Sequence, residues 1–170
     1  MASFLGYAYV LAGRIADGLP LLEQAVERAL AMGDQEAHSL PGLCLADAYR
    51  LANRLEEATA VARRALDFVR EHKRHAHEPL ALRVLGDIAS QRDPVDVEHG
   101  EACYRNAIVL AAALGMQPLV AHCHLGLGRL YRNAGKPHEA HAYLIRAKAM
   151  FREMAMSCWR DEAESELQAT

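Results

Sequence analysis

The side chains in this sequence that are best suited to metal or acid–base chemistry are its nine histidines. His122 and His124 are two positions apart, so on a regular helix they point about 200° away from each other and cannot bind one ion. His138 and His141 are three positions apart and share a helix face, but two ligands are too few for a zinc site. The histidines of a polar connector, which would chelate a metal only weakly, are His72, His75 and His77. We therefore predict no metal site.

The four cysteines and the acidic residues also lack the spacing of a catalytic site. No C-x-x-C pair is present, and cysteines spread over different predicted helices are typical of reduced core thiols. The sequence has no phosphate-binding GxxxxGK[ST] loop, no GxSxG, no HExxH and no Gly-rich dinucleotide loop. We therefore predict that the chain is not an enzyme and binds no cofactor.

Two arginines offer chemistry of another kind, the recognition of an anionic partner. Arg129 and Arg132 lie about one helical turn apart and could hold a carboxylate through charge-assisted hydrogen bonds. The alternative is that these guanidinium groups are solvated, or paired within the chain with Asp47 and Asp87.

The arginine pair belongs to a segment, residues 122–147, that reads as two helices joined by a turn. In HCHLGLGRLYRNAGKPHEAHAYLIRA, apolar and small residues recur at helical spacing up to Tyr131. Gly128 lets the facing helix come close, Gly135 favours a left-handed helix end, and Pro137 suits the opening of the next helix. A lone hairpin of this kind cannot bury its apolar face, so neighbouring hairpins are expected.

Three weaker copies of the pattern precede this hairpin. The position of Tyr131 corresponds to Tyr9, Tyr49 and Ala89, at intervals of 40, 40 and 42 residues. A near-constant period over four copies is typical of a solenoid. The predicted repeats cover residues 2–33, 36–75, 78–115 and 118–155, with helices over 36–52 and 55–72 in the second.

A final segment, residues 157–168, predicts one more helix. Trp159, Ala163 and Leu167 form a single apolar stripe, with acidic residues on the opposite face. A single-faced terminal helix is typical of the caps that keep repeat arrays soluble.

The repeated pattern resembles the tetratricopeptide repeat (TPR), whose signature is W-x2-L-G-x2-Y…A-x3-F…P. The resemblance runs over residues 2–155 and is carried by elements such as Leu127-Gly128-x2-Tyr131. No repeat has the tryptophan, the terminal proline is absent, and Ala89 replaces one tyrosine. The resemblance implies an all-α fold, a right-handed α-solenoid of four TPR-like helical hairpins plus a C-terminal capping helix, in a single domain over residues 1–170.

A narrower resemblance concerns repeats with long helices, of about 40 residues each. The segments LGMQPLVAHCHLGLGRLYRNAGKPHEA and MFREMAMSCW resemble the C-terminal TPR regions of bacterial AAA-ATPase-linked adenylate/guanylate cyclases and of MalT-like regulators. The chain also opens abruptly inside the first helix of a repeat. We therefore expect it to be a fragment of a larger bacterial signalling protein.

The TPR resemblance further implies that the first helix of each hairpin lines an inner groove. Transferred to this sequence, the predicted groove residues are Tyr7, Leu43, Asp47, Arg50, Arg83, Asp87, His122, Leu125, Arg129, Arg132 and Asn133. The same transfer places Val10, Leu11, Leu51 and Gln91 beside them.

The predicted function is a regulatory module that binds a protein or peptide, or another domain of its own parent protein, in this groove. The structural alternative is self-association into a homodimer through an exposed helix face. RNA binding by a helical repeat is a third reading, against which the formal net charge of −3 counts. No apolar run approaches the ~18 residues of a membrane span, so we predict no membrane contact and a cytoplasmic location.

Overall fold

The computed structural model describes residues 2–169 of the chain, with side chains from residue 4 onward. The side chain of Ala2, the first position of the repeat pattern, therefore lies outside the described residues. Within residues 2–169 the chain is all-helical, without a β-strand, and its helices pack in consecutive pairs. The predicted fold class, an α-solenoid of TPR-like hairpins with a terminal helix, is confirmed.

Nine α-helices are present in this described part of the chain. They are α1 (Ala2–Leu11), α2 (Ile15–Ala31), α3 (Leu40–Leu51), α4 (Leu55–Glu71), α5 (Glu78–Gln91), α6 (Val97–Ala113), α7 (Gln117–Asn133), α8 (Pro137–Glu153) and α9 (Ser157–Gln168). The last of these coincides with the predicted terminal helix.

One predicted helix is interrupted. Instead of a single helix over 36–52, a short 3-10 helix at Gln35–His38 is followed by Ser39 in a non-helical conformation, and α3 begins after it. The physical reason is Pro41, which has no N–H to donate to the carbonyl of Ala37 and therefore sits in the first turn of a new helix.

The tight turns between paired helices use left-handed backbone conformations. Gly135 has a φ of 71°, which confirms the helix end predicted there, and the N–H of Lys136 closes the turn on the carbonyl of Tyr131 at 2.8 Å. Between α8 and α9 the same left-handed position is held by Ala155, with a φ of 57°. An alanine is strained in this region, whereas a glycine is not.

The chain divides into two compact units, and the boundary lies inside α5. Unit 1 (Met1–Val84) contains α1 to α4, and α1 packs on α2 so closely that a Cβ on Gly18 would lie 2.4 Å from the carbonyl oxygen of Gly6. Its core is built from aliphatic side chains of the first three helices, among them Val10, Leu22 and Leu45.

Unit 2 (Leu85–Thr170) contains α6 to α9. Tyr104 of α6 is fully buried, and a Cβ on Gly126 would lie 2.4 Å from its ring. A Cβ on Gly128 would lie 2.5 Å from Leu144, which confirms that this glycine permits the close approach of α8 to α7. The glycines of α7 are therefore packing positions.

Candidate functional site

The predicted groove residues of unit 1 meet around one buried carboxylate, in what we name the Asp47 cluster: Tyr7, Asp47, Arg50 and Arg83. Asp47 is 4% exposed and accepts a 2.7 Å hydrogen bond from the Tyr7 hydroxyl. Arg50 Nε donates to the other carboxylate oxygen at 2.8 Å. The residues come from α1, α3 and α5, so the cluster ties together first helices of hairpins.

The charges of the cluster fix the protonation state of each member. Burial alone would raise the pKa of Asp47, but the charges of Arg50 and Arg83 and the hydrogen bonds from Tyr7 and Arg50 outweigh it, and the pKa is lowered. Burial, followed by the charge and hydrogen bond of Asp47, raises the pKa of Tyr7. The cluster therefore holds a neutral phenol on an ionised carboxylate at neutral pH.

A cysteine beside the cluster carries a buried thiol. Burial, and then the charge of Asp47, raises the pKa of Cys44 to about 11, so the thiol stays protonated at neutral pH. Cys103 and Cys123 are also buried, whereas Cys158 on α9 is exposed.

The predicted groove arginines of unit 2 are engaged by the terminal helix. Arg129 Nε donates to Glu166 Oε1 at 2.7 Å, and the same guanidinium also bonds Glu162. Arg132 donates to the second oxygen of Glu166, and Lys148 of α8 pairs with Glu164. Burial, and then the neighbouring charge of Arg129, lowers the pKa of Arg132. The arginine pair therefore forms a small positive surface that carboxylates on α9 neutralise.

These carboxylates differ from the ones considered in the sequence. Asp47 binds Tyr7 and Arg50, while Asp87 accepts a 2.5 Å hydrogen bond from the hydroxyl of Tyr104. The alternative in which Asp47 and Asp87 pair with Arg129 and Arg132 is therefore wrong, because the partners are Glu162 and Glu166.

Three more predicted groove residues of unit 2 have defined surroundings. His122 is half-buried, and its ring makes T-shaped contacts with the rings of Phe151 and Trp159. The ring centroids lie 5.1 Å and 4.4 Å away, respectively. Asn133 is exposed, and its amide donates to the carbonyl of Ser90 at 3.0 Å. Leu125, in contrast, is only 1% exposed.

The prediction needs correction for its leucines. Leu125 and Leu43, which is 3% exposed, are core residues, so their side chains are not accessible to a partner in the folded chain. Val10 is likewise buried. The physical reason is that a helix packed on two sides presents only a narrow stripe to solvent, and helical spacing alone does not say which stripe.

Sequence reasoning missed two features of unit 2. The first is the pairing of Glu162 and Glu166 with the arginines, for which their spacing of four on one helix was the available signal. The second is His124, which is 4% exposed and has no hydrogen-bond partner for either ring nitrogen among the described residues. Burial, and then the charge of Arg146, lowers the pKa of His124 to about 4. Its place in the repeat pattern, where the TPR signature has tryptophan, was the signal for an apolar environment.

Among residues 2–169 no three His, Cys, Asp or Glu side chains come together as metal ligands would. His138 and His141 are both exposed on α8. No helix in this part of the chain combines the length and hydropathy needed to cross a membrane.

Comparison with known proteins supports the repeat type. Residues 120–155, which contain most of α7 and all of α8, match the tetratricopeptide repeat family model. No curated protein matches the sequence. The fold is similar to that in the crystal structure of BtubC (BKLC) from P. vanneervenii, with a TM-score of 0.71 and 20% identity. The similarity covers 91% of this chain and 63% of the BtubC chain, and at this identity it concerns the fold alone.

Proposed function

We propose that this chain is a non-catalytic interaction module that binds a peptide or a partner domain through the first helices of its hairpins. The observation that carries the proposal is the fixed arrangement of polar side chains on these helices. In unit 1, Tyr7 and Arg50 are held by Asp47, and in unit 2 the amide of Asn133 on α7 is held by the carbonyl of Ser90. Side chains that are ordered before binding lose little conformational entropy when a partner arrives.

The partner in this proposal is a protein. The match of α7 and α8 to a tetratricopeptide repeat favours it, because such repeats typically bind proteins. The resemblance to C-terminal regions of larger signalling proteins adds a specific candidate, a neighbouring domain of the same polypeptide. The chain spans 63% of the length of BtubC. Membership of this chain in a larger signalling protein is a part of the same proposal.

A selection experiment tests the proposal. Short random peptides displayed on phage are selected on the full chain, and the tightest peptide is titrated into the ¹⁵N-labelled protein. We expect amide chemical shifts to change on first helices, either α1 and α3 of unit 1 or α7 of unit 2, and to stay constant on α2, α4 and α8. Arg132→Ala should weaken the peptide, whereas Arg64→Ala on the exposed face of α4 should not. Shift changes centred on the second helices, or no selectable peptide, would refute the proposed function.

Self-association is the second candidate, and one observation favours it. Phe4, Leu5 and Leu11 of α1 are 56%, 55% and 64% exposed, so this helix presents an apolar face to solvent. Phe4 also lines an open cleft of about 520 Å³, together with residues such as Leu21 and Met32. Light scattering over a concentration series would detect a dimer, and Leu11→Lys should abolish it. A constant monomeric mass would remove this candidate.

A further inference from the structure

The terminal helix α9 is attached to unit 2 by ion pairs and by a small apolar contact. Ala163 is its buried residue, while Trp159 is 36% exposed and Leu167 is half-buried. Four ion pairs add to this contact, with Glu162 and Glu166 on the arginine pair and Glu164 on Lys148. The helix next to it, α8, instead buries Leu144, Ala147 and Phe151 completely.

Such an attachment is weak and sensitive to salt. Solvent screens the pairs of Glu162 and Glu164 most, because these carboxylates are 36% and 44% exposed, and it screens the pairs of Glu166, which is 14% exposed, less. An element with few buried apolar contacts opens at a lower free energy than the core. Helix α9 should therefore detach from unit 2 before α7 and α8 separate.

Detachment of α9 would uncover a surface with the features of a helix-binding site. Arg129 and Arg132 present two guanidinium groups one turn apart, matched by carboxylates spaced four residues apart on the bound helix. Beside them His122 and Phe151 form an aromatic seat for the indole of Trp159, with ring centroids 4.4 Å and 6.3 Å away. Charge pairs at the rim and an aromatic anchor are how an amphipathic helix is recognised.

We propose that α9 is the resident occupant of a binding site for an acidic amphipathic helix, and that a helix of this chemistry from a partner protein displaces it. This inference rests on the proposed function and deepens it, since it names the class of partner for α7. It also gives α9 a regulatory role, because the site is closed until a stronger competitor is present.

Because the connection between α8 and α9 is short, we infer that the competitor belongs to a different protein. Only residues 154–156 join the two helices, so α9 is present at its site at an effective concentration of the order of mM. The α9 of a second copy binds no better and cannot compete at micromolar protein concentrations. A partner helix can compete if its apolar side chains are larger than Leu167, which is only half-buried, and bury more surface.

Fluorescence anisotropy on the full chain tests the inference. The probe is a fluorescein-labelled synthetic peptide of residues 157–168 with Cys158→Ser. Glu162→Gln with Glu166→Gln in the protein weakens the hold of its own α9 but leaves the arginine pair intact. Because the two substitutions remove three ion pairs of the protein's own α9, we expect the peptide to bind this variant about tenfold more tightly than wild type. Asp161→Asn, whose partner Arg160 lies on α9 itself, is the matched control and should bind like wild type.

The gain must depend on the arginine pair. Arg129→Gln with Arg132→Gln, added to the glutamine variant, should abolish the gain, and so should a peptide that carries glutamine at both glutamate positions. Equal binding to wild type and variant, or a gain that survives loss of the arginines, would overturn the proposal. Dimerisation of the glutamine variant in light scattering would replace the partner helix by a second copy and overturn it as well.

A second measurement covers the case in which the glutamine variant does not fold. Hydrogen exchange of the wild-type chain at low salt and at about 0.5 M salt should show faster exchange in α9 alone, with α7 and α8 unchanged. Exchange in α9 that does not respond to salt would contradict the inference. If library peptides still bind the first helices while α9 never yields, this inference fails and the proposed function stands. If neither the library peptides nor the α9 peptide bind, the proposed function and this inference both fail.

Discussion

Replacing His124 should make the chain more resistant to acid. This histidine is 4% exposed on α7, and neither ring nitrogen has a hydrogen-bond partner among the described residues. Its pKa is lowered from 6.5 to about 4, first by burial and second by the charge of Arg146. The folded chain therefore binds a proton at this site less readily than the unfolded chain does.

The sign and the size of the effect follow from linkage. Because the folded pKa is the lower one, His124 costs nothing at high pH, and stability is lost as the pH falls from about 6.5 to about 4. At about pH 5 the loss amounts to roughly 2 kcal/mol, and it approaches ~3 kcal/mol below pH 4. A loss of this size is large relative to the stability of a small domain.

His124→Phe removes this titration and keeps an aromatic ring against Tyr143, whose ring centroid is 6.0 Å from that of the histidine. Urea unfolding followed by helical circular dichroism should show that wild type loses about 2 kcal/mol more than the variant between about pH 7.5 and pH 5. His138→Phe on the exposed face of α8 is the control and should behave like wild type. An equal loss in all three proteins would refute the assignment of a buried, neutral imidazole.

Three substitutions test the packing and the polar contacts by the same unfolding measurement. Gly128→Leu should destabilise by about 1–3 kcal/mol or more, because even a Cβ there would lie 2.5 Å from Leu144; an unchanged midpoint would contradict the close helix contact. Ala155→Gly should stabilise by about 0.5–1 kcal/mol by relieving a φ of 57°, and a loss of stability would speak against that conformation. Tyr7→Phe should cost about 1–3 kcal/mol by leaving Asp47 one donor short, and a neutral effect would show that water replaces the hydroxyl.

The hairpins were predictable from the sequence because their signals are local. The spacing of Leu127, Gly128 and Tyr131 defines a helix face, and Gly135 with Pro137 defines the turn, all within one repeat. The break at Ser39 was not predicted, although Pro41 was an available signal. A proline is tolerated in the first turn of a helix, and the prediction placed Pro41 in the opening turn of a helix that began at residue 36.

The candidate surfaces were less predictable because they depend on contacts between distant residues. The Tyr7–Asp47 hydrogen bond joins residues 40 positions apart, and the Arg129–Glu166 bond joins residues 37 apart. Repeat spacing placed the tyrosine and the arginine on first helices but carried no information about their partners. It also failed to separate exposed from buried positions, which is why Leu125 was assigned to a surface and lies in the core.

The single tryptophan of the sequence lies at the junction of α9 with the rest of unit 2, its indole set against the rings of His122 and Phe151. Its emission therefore reports the environment of the terminal helix and not that of the remaining eight. In a denaturation series followed by both probes, the fluorescence change should come at lower urea than the loss of helical ellipticity. A midpoint read from tryptophan fluorescence alone would describe the release of one helix. Used as the unfolding midpoint of the chain, it would underestimate the free energy of unfolding.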